Sequence, residues 1–110
     1  MSEFLYLYRG GERQTTPAGM QQQMQRWMTW LKELGEKGYL KSPGHPLDAK
    51  GKVVSGKSKG VTDGPFAEKD IVGGYSVVEA ADLAEATELS KGCPILEFGG
   101  HVEVRPIMSM

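Results

Sequence analysis

From Glu3 to Tyr8 the aromatics Phe4, Tyr6 and Tyr8 alternate with Leu5 and Leu7, so both faces of an extended segment are apolar. That pattern predicts a central strand covered on two sides. A turn follows over Arg9-Gly10-Gly11-Glu12-Arg13, and Thr16-Pro17 then supplies a capping hydroxyl with proline at the first helical position. In the helix this starts, Met20, Met24, Trp27, Leu31 and Leu34 share one arc, with Met28 and Trp30 on its flanks and Gly35 or Gly38 ending the run. The arc is expected to dock on the sheet, with the methionines as adaptable core filler, Trp27 in the core and Trp30 at the mouth of a pocket.

Tyr39-Leu40 begins a second strand, and Ser42 to Asp48, with two prolines and a glycine, reads as a loop presenting His45. Lys50 to Gly60 has the look of an exposed hairpin, its four lysines protecting an edge. Ile71 to Val78 is the strongest strand pattern, and Gly73-Gly74 inside it marks a bulge or a close approach. Asp82 and Glu85 make a capping-box pair before a helical stripe of Leu83, Ala86 and Leu89, which runs to Gly92 with Pro94 behind it. Ile95 to Phe98 and Val102 to Ile107 are expected to be strand, bent at Gly99-Gly100.

Strand, helix, strand, strand, helix, strand is a split βαβ order, so the predicted fold is an α+β, ferredoxin-like sandwich with an antiparallel sheet and two helices on one face. Two short helices leave the other face bare, and its apolar residues require cover. A homodimer paired through that face is the expected partner arrangement.

The 110 residues suit a single domain, 1-110. A net charge of -1 gives no footprint for nucleic acid, and the first residues lack a basic segment and an apolar run of spanning length. No nucleic acid, no membrane and a cytoplasmic location are therefore expected. Cys93 is the only cysteine, which excludes an internal disulfide and fits a packed thiol; beyond a helix C-terminus it is poorly placed to be a thiolate. No glycine pattern matches a nucleotide loop and no close His-x-His spacing matches a metal site, so no cofactor is expected.

Val61-Thr62-Asp63-Gly64-Pro65-Phe66-Ala67-Glu68, Ile71-Val72-Gly73-Gly74-Tyr75, Cys93-Pro94 and Val102-Glu103-Val104-Arg105-Pro106-Ile107, in this order over nearly the whole chain, resemble the YCII-related, or DGPF-domain, family. The resemblance implies a ferredoxin-like fold and a dimer of the α/β-barrel type. It also implies a tie to small enzymes acting on aromatic or lactone-like compounds through a His and Asp pair, the histidine on the first helix. Here Pro17 to Lys37 contains no histidine, so only Asp63 carries over as a site carboxylate.

Asp63 acts as a general acid or base if it points into a pocket walled by Trp30, Phe66 and Tyr75; the competing reading has it bonding backbone amides of its own turn. Glu68 reads as a solvated loop residue. His45 and His101 are the only imidazoles, each in a place where a side chain reaches a cleft or faces water, and Arg105 or His101 is suited to polarising an anionic group. The leading expectation is a dimer that binds a small aromatic or polar metabolite, with Asp63 moving a proton without a cofactor, as an isomerase or lyase does. The alternative is a non-catalytic regulatory or protein-interaction module built on the sheet face and the lysine-rich hairpin.

Overall fold

The computed structural model describes residues 1–12, 14–48, 50–63 and 71–109. Four strands form one antiparallel sheet: β1 (Ser2–Gly10), β2 (Leu40–Ser42), β5 (Val72–Ala80) and β6 (Gly100–Pro106), in the spatial order β2-β5-β1-β6. The helices α1 (Pro17–Glu36) and α2 (Leu83–Ser90) connect β1 to β2 and β5 to β6. Taken as the first to fourth strands of that sheet, the order is second, third, first, fourth, which is the ferredoxin-like arrangement. Between β2 and β5 the chain inserts a separate hairpin, β3 (Lys52–Ser55) with β4 (Gly60–Asp63).

Strand parity sets the layers. Phe4, Tyr6 and Tyr8 of β1 and Ser76, Val78 and Ala80 of β5 are buried on one face, where Trp30, Leu34, Ala86, Cys93 and Ile95 pack on them. The opposite face carries Leu5 and Leu7 beside Val77 and Tyr75, half-buried, and no helix crosses it among the described residues. With helices on one side of the sheet only among the described residues, the molecule is 19 Å across its shortest axis and 46 Å along its longest. Its radius of gyration, 15.4 Å, exceeds the roughly 13 Å of a compact chain of this length.

The caps follow the sequence. Thr16 Oγ1 accepts from Gly19 N at 3.0 Å with Pro17 opening α1, and Asp82 accepts from Glu85 N at 2.8 Å while Glu85 returns a bond to Ala81 N at 2.8 Å. At Gly73 the β1–β5 register slips, with Tyr8 opposite Gly74 and Arg9 opposite Val72, so the bulge lies at the glycine pair. The close approach there is by the His45-Pro46 backbone: a Cβ on Gly74 would stand 3.1 Å from His45 O.

Three expectations change. Met20, Met24 and Met28 are exposed instead of core filler. The residues that seat α1 are Trp27, Trp30, Leu31 and Leu34, all in its second half; nothing in the described chain covers Met20 and Met24 in the first half, and Met28 lies off the buried arc. Trp30, at 7% exposed, is buried more deeply than Trp27 and stacks on Tyr6 with ring centroids 6.1 Å apart. Ile95–Phe98 belongs to a 3-10 helix, Pro94–Phe98, and not to a strand. Proline fixes a helical φ at its start and Gly99, at φ 80°, stops it by donating to Ile95 O.

Candidate functional site

The space between sheet and helices, where a pocket was expected, is filled by four aromatic rings. Trp27 meets Tyr8 edge-on at 4.6 Å and Trp30 at 5.9 Å, and Trp30 lies over Tyr6. The two tyrosine hydroxyls end in internal acceptors. Tyr6 donates to Ala86 O at 2.5 Å, and Tyr8 donates to Ser76 Oγ at 2.8 Å, which in turn donates to Pro43 O at 2.7 Å. Burial pushes both phenols up from their ordinary range, and it pushes the Cys93 thiol up to about 12, so neither kind of group is charged near neutrality. This layer is built for packing, and every fully buried side-chain nitrogen or oxygen among the described residues has a partner.

The open sheet face gathers several of the polar residues singled out from the sequence. Register places Tyr75 opposite Leu7, Arg105 opposite Leu5 and His101 opposite Arg9, so Tyr75, Arg105 and His101 share it, with His101 and Arg105 exposed. Glu103 sits between two guanidinium groups, 3.1 Å from Arg9 Nε and 3.3 Å from Arg105 Nη1. The Arg105 hydrogen bond, with Arg9 behind it, holds the Glu103 carboxyl below the usual carboxylate range. Across the sheet Lys41 Nζ lies 3.0 Å from Glu3 and 3.8 Å from Glu79, and its bond to Glu3 raises the ammonium pKa. The face is thus an apolar strip of Leu5, Leu7, Tyr75 and Val77 between two ionic clusters of mixed sign.

His45 lies at the β5 side of the sheet. Its ring meets Tyr75 edge-on at 6.1 Å, and its carbonyl accepts from Tyr75 N at 3.3 Å. Gly44, at φ 67°, allows this seat, since a Cβ there would stand 1.8 Å from Tyr75 O. Trp30 and Tyr75, both expected beside Asp63, are on opposite faces of the sheet.

Asp63 ends β4 on the outlying hairpin. Its carboxylate is 74% exposed and accepts from Lys52 Nζ at 2.6 Å. On the same hairpin face Val54 pairs across from Val61, and both valines are exposed. Phe66 and Glu68 fall outside the described residues. Within one chain, then, Asp63 is not gathered with Trp30, Tyr75, His101 or Arg105. Among the described residues no three His, Cys, Asp or Glu side chains are grouped to hold a metal ion, and no helix is long and apolar enough to cross a membrane.

Sequence reasoning did not join Arg9 to Glu103, nor Glu3, Lys41 and Glu79 into a cluster. Their signal was present in part: in Val102 to Arg105 the charged residues alternate with valines, which assigns Glu103 and Arg105 to one face. It also passed over Ser76 and the Arg26–Glu97 pair, which no local pattern joins.

No curated protein matches the chain. Among solved structures it is similar to 5-chloro-2-hydroxyhydroquinone dehydrochlorinase from Burkholderia phenoliruptrix, in complex with 2,5-dihydroxybenzoquinone, with a TM-score of 0.51, 20% identity and coverage of 98% of this chain and 95% of that one. At that identity the likeness establishes the shared α+β fold. The YCII-related domain model matches residues 4–110, and the chain belongs to the YCII-related domain family.

Proposed function

We propose that this protein is a small-molecule-binding homodimer, paired through the open sheet face, in which Asp63 supplies proton-transfer chemistry of the isomerase or lyase kind without a cofactor. The observation that carries the reading is the open face itself: Leu5, Leu7, Tyr75 and Val77 form an apolar strip on the side of the sheet that no helix crosses among the described residues. Mixed charge at both margins suits pairing with a second copy, since the acids of one can meet the bases of the other. The hairpin adds to it. A two-stranded hairpin is marginal alone, and the uncovered Val54–Val61 pair lies on the same face as Asp63, so cover by a partner would take the carboxylate out of water. That the like-folded dehydrochlorinase holds a dihydroxybenzoquinone supports a compact, flat, oxygen-bearing ligand.

One observation favours the non-catalytic interaction module: Asp63 is exposed and matched by Lys52, and α1 has no histidine to complete an acid–base pair. Two measurements separate the readings. Light scattering is expected to give a dimer, and Leu7→Glu a monomer, because a carboxylate in the strip cannot be covered without its hydration. Thermal-shift screening of wild type and Asp63→Asn against aromatic acids, phenols and lactones is expected to give stabilising ligands that the variant loses. A wild-type monomer removes the dimer; a dimer with ligands that bind Asp63→Asn equally well removes the catalytic role and leaves the interaction module.

A further inference from the structure

On the helix side, away from the open face, α1 and the stretch from Gly92 to Glu97 border a shallow, open groove of about 620 Å³. That lies within the roughly 300–1,000 Å³ of small-ligand sites. Its floor is reached by Trp30, a side chain more than nine-tenths buried. The indole N–H has no acceptor among the described residues, whereas every fully sealed side-chain nitrogen or oxygen there has one. The N–H must therefore touch solvent, and the groove is where Trp30 reaches the surface.

Gly92 keeps that donor uncovered. It lines the groove beside the indole edge, and a Cβ added to it would stand 3.0 Å from Trp30 Nε1 and 3.2 Å from Cδ1. Any larger residue would cap the N–H. The walls are polar and specific in sign. Arg26 is held by Glu97 through both terminal guanidinium nitrogens, one bond being 2.6 Å, so its charge is already matched, while Glu33 has no cation paired with it among the described residues. One cation against two carboxylates disfavours an anion. Gln22, Gln25 and Thr29 offer both donors and acceptors along the helix wall.

We propose that this groove binds a small neutral carboxamide, its carbonyl oxygen accepting the Trp30 N–H and its amide N–H groups facing the Glu33 carboxylate. A carbonyl satisfies the Trp30 donor, which has no acceptor among the described residues, and an amide N–H can donate to a carboxylate without bringing a full charge. The site is separate from the dimer reading and stands whether or not the open face is paired.

The test is a titration of the whole protein with benzamide, followed in an assigned ¹⁵N correlation spectrum, with benzoate as the anionic probe of equal shape. The Trp30 indole peak is expected to move saturably with benzamide while the Trp27 indole peak stays, and benzoate is expected to bind more weakly. Gly92→Ala is expected to weaken benzamide about tenfold by capping the donor. Gly35→Ala, on α1 where a Cβ meets nothing within 4 Å, should leave it unchanged. A Trp30 peak that does not move saturably overturns the proposal, as does equal affinity in Gly92→Ala or benzoate binding as tightly as benzamide. The comparison of the two probes on the wild type decides the matter even if Gly92→Ala does not fold.

Discussion

Removing the hydroxyl of Tyr8 should destabilise the wild type and yet stabilise a protein that already lacks Ser76. The relay runs Tyr8 hydroxyl to Ser76 Oγ at 2.8 Å and Ser76 hydroxyl to Pro43 O at 2.7 Å, and both side chains are almost wholly buried, Tyr8 at 5% and Ser76 at 1% exposed. In Tyr8→Phe one bond is lost, but Ser76 still donates to Pro43, so the cost is about 1 kcal/mol. In Ser76→Ala the Pro43 bond goes, and the buried Tyr8 hydroxyl is left with nothing to donate to, so about 3 kcal/mol is lost. The double variant loses both bonds and strands nothing except the Pro43 carbonyl, which belongs to an exposed residue and can take water, for about 2 kcal/mol in all. Urea unfolding reads this directly. With a slope of about 2 kcal/mol per molar, the midpoint falls by about 0.5 M, 1.5 M and 1 M respectively, at constant slope. A double variant less stable than Ser76→Ala alone would refute the reasoning, since additive losses mean that the two hydroxyls are not coupled.

Two further outcomes follow from the buried thiol and the Gly44 turn. Burial raises the Cys93 thiol from 9.0 to about 12, so the folded state keeps a proton that the unfolded chain releases. This contribution is whole below the unfolded pKa and is lost as pH rises toward the folded one; the urea midpoint should drop between about pH 8 and about pH 10.5, and drop less in Cys93→Ala. The same thiol should react with a disulfide reagent at about pH 8 only as fast as the protein unfolds. Gly44→Ala drives a Cβ to 1.8 Å from Tyr75 O at a positive φ, and is expected to cost about 2–4 kcal/mol and to abolish the His45–Tyr75 ring contact in near-ultraviolet dichroism. Gly38→Ala, also at positive φ but with nothing within 4 Å, should cost only about 1 kcal/mol.

The elements legible in the sequence were those whose determinants are local. Alternation in Phe4 to Tyr8, the Thr16-Pro17 start and the Asp82/Glu85 pair each act within a few residues, and the structure has the central strand and both helix starts, with one face of the strand covered by the described residues. The split βαβ order then constrains the sheet, because few topologies connect those elements without crossing. Which residues of α1 are covered was not legible. Met20, Met24 and Trp27 share one arc, and only the extent of the layer beneath the helix decides which of them is covered. Ile95 to Phe98 misled for a related reason: apolar composition alone does not separate a strand from a buried 3-10 turn, and the proline ahead of it was the stronger signal. The candidate site was legible as residues and not as a site. Tyr75 and Arg105 are on one face of the sheet, Trp30 is on the other, and Asp63 stands on a hairpin beyond both.

The central position of β1 bears on how the chain comes together in time. The strand is made first, yet Phe4 must wait for Val78 on one side and Pro106 on the other. The strand thus has no neighbour until β5 is made, with more than two thirds of the chain synthesised, and lacks its second until nearly all of it is; at roughly 5–20 residues per second the wait lasts several seconds. Throughout it a run with apolar side chains on both faces and unpaired backbone is open to other chains. Contacts so distant in sequence slow the search for the native pairing, because long loops must close before any bond rewards them. The strand that anchors the finished sheet is thus the segment most exposed to misassembly, and chaperone dependence during synthesis should fall if Leu5 and Leu7 are made polar.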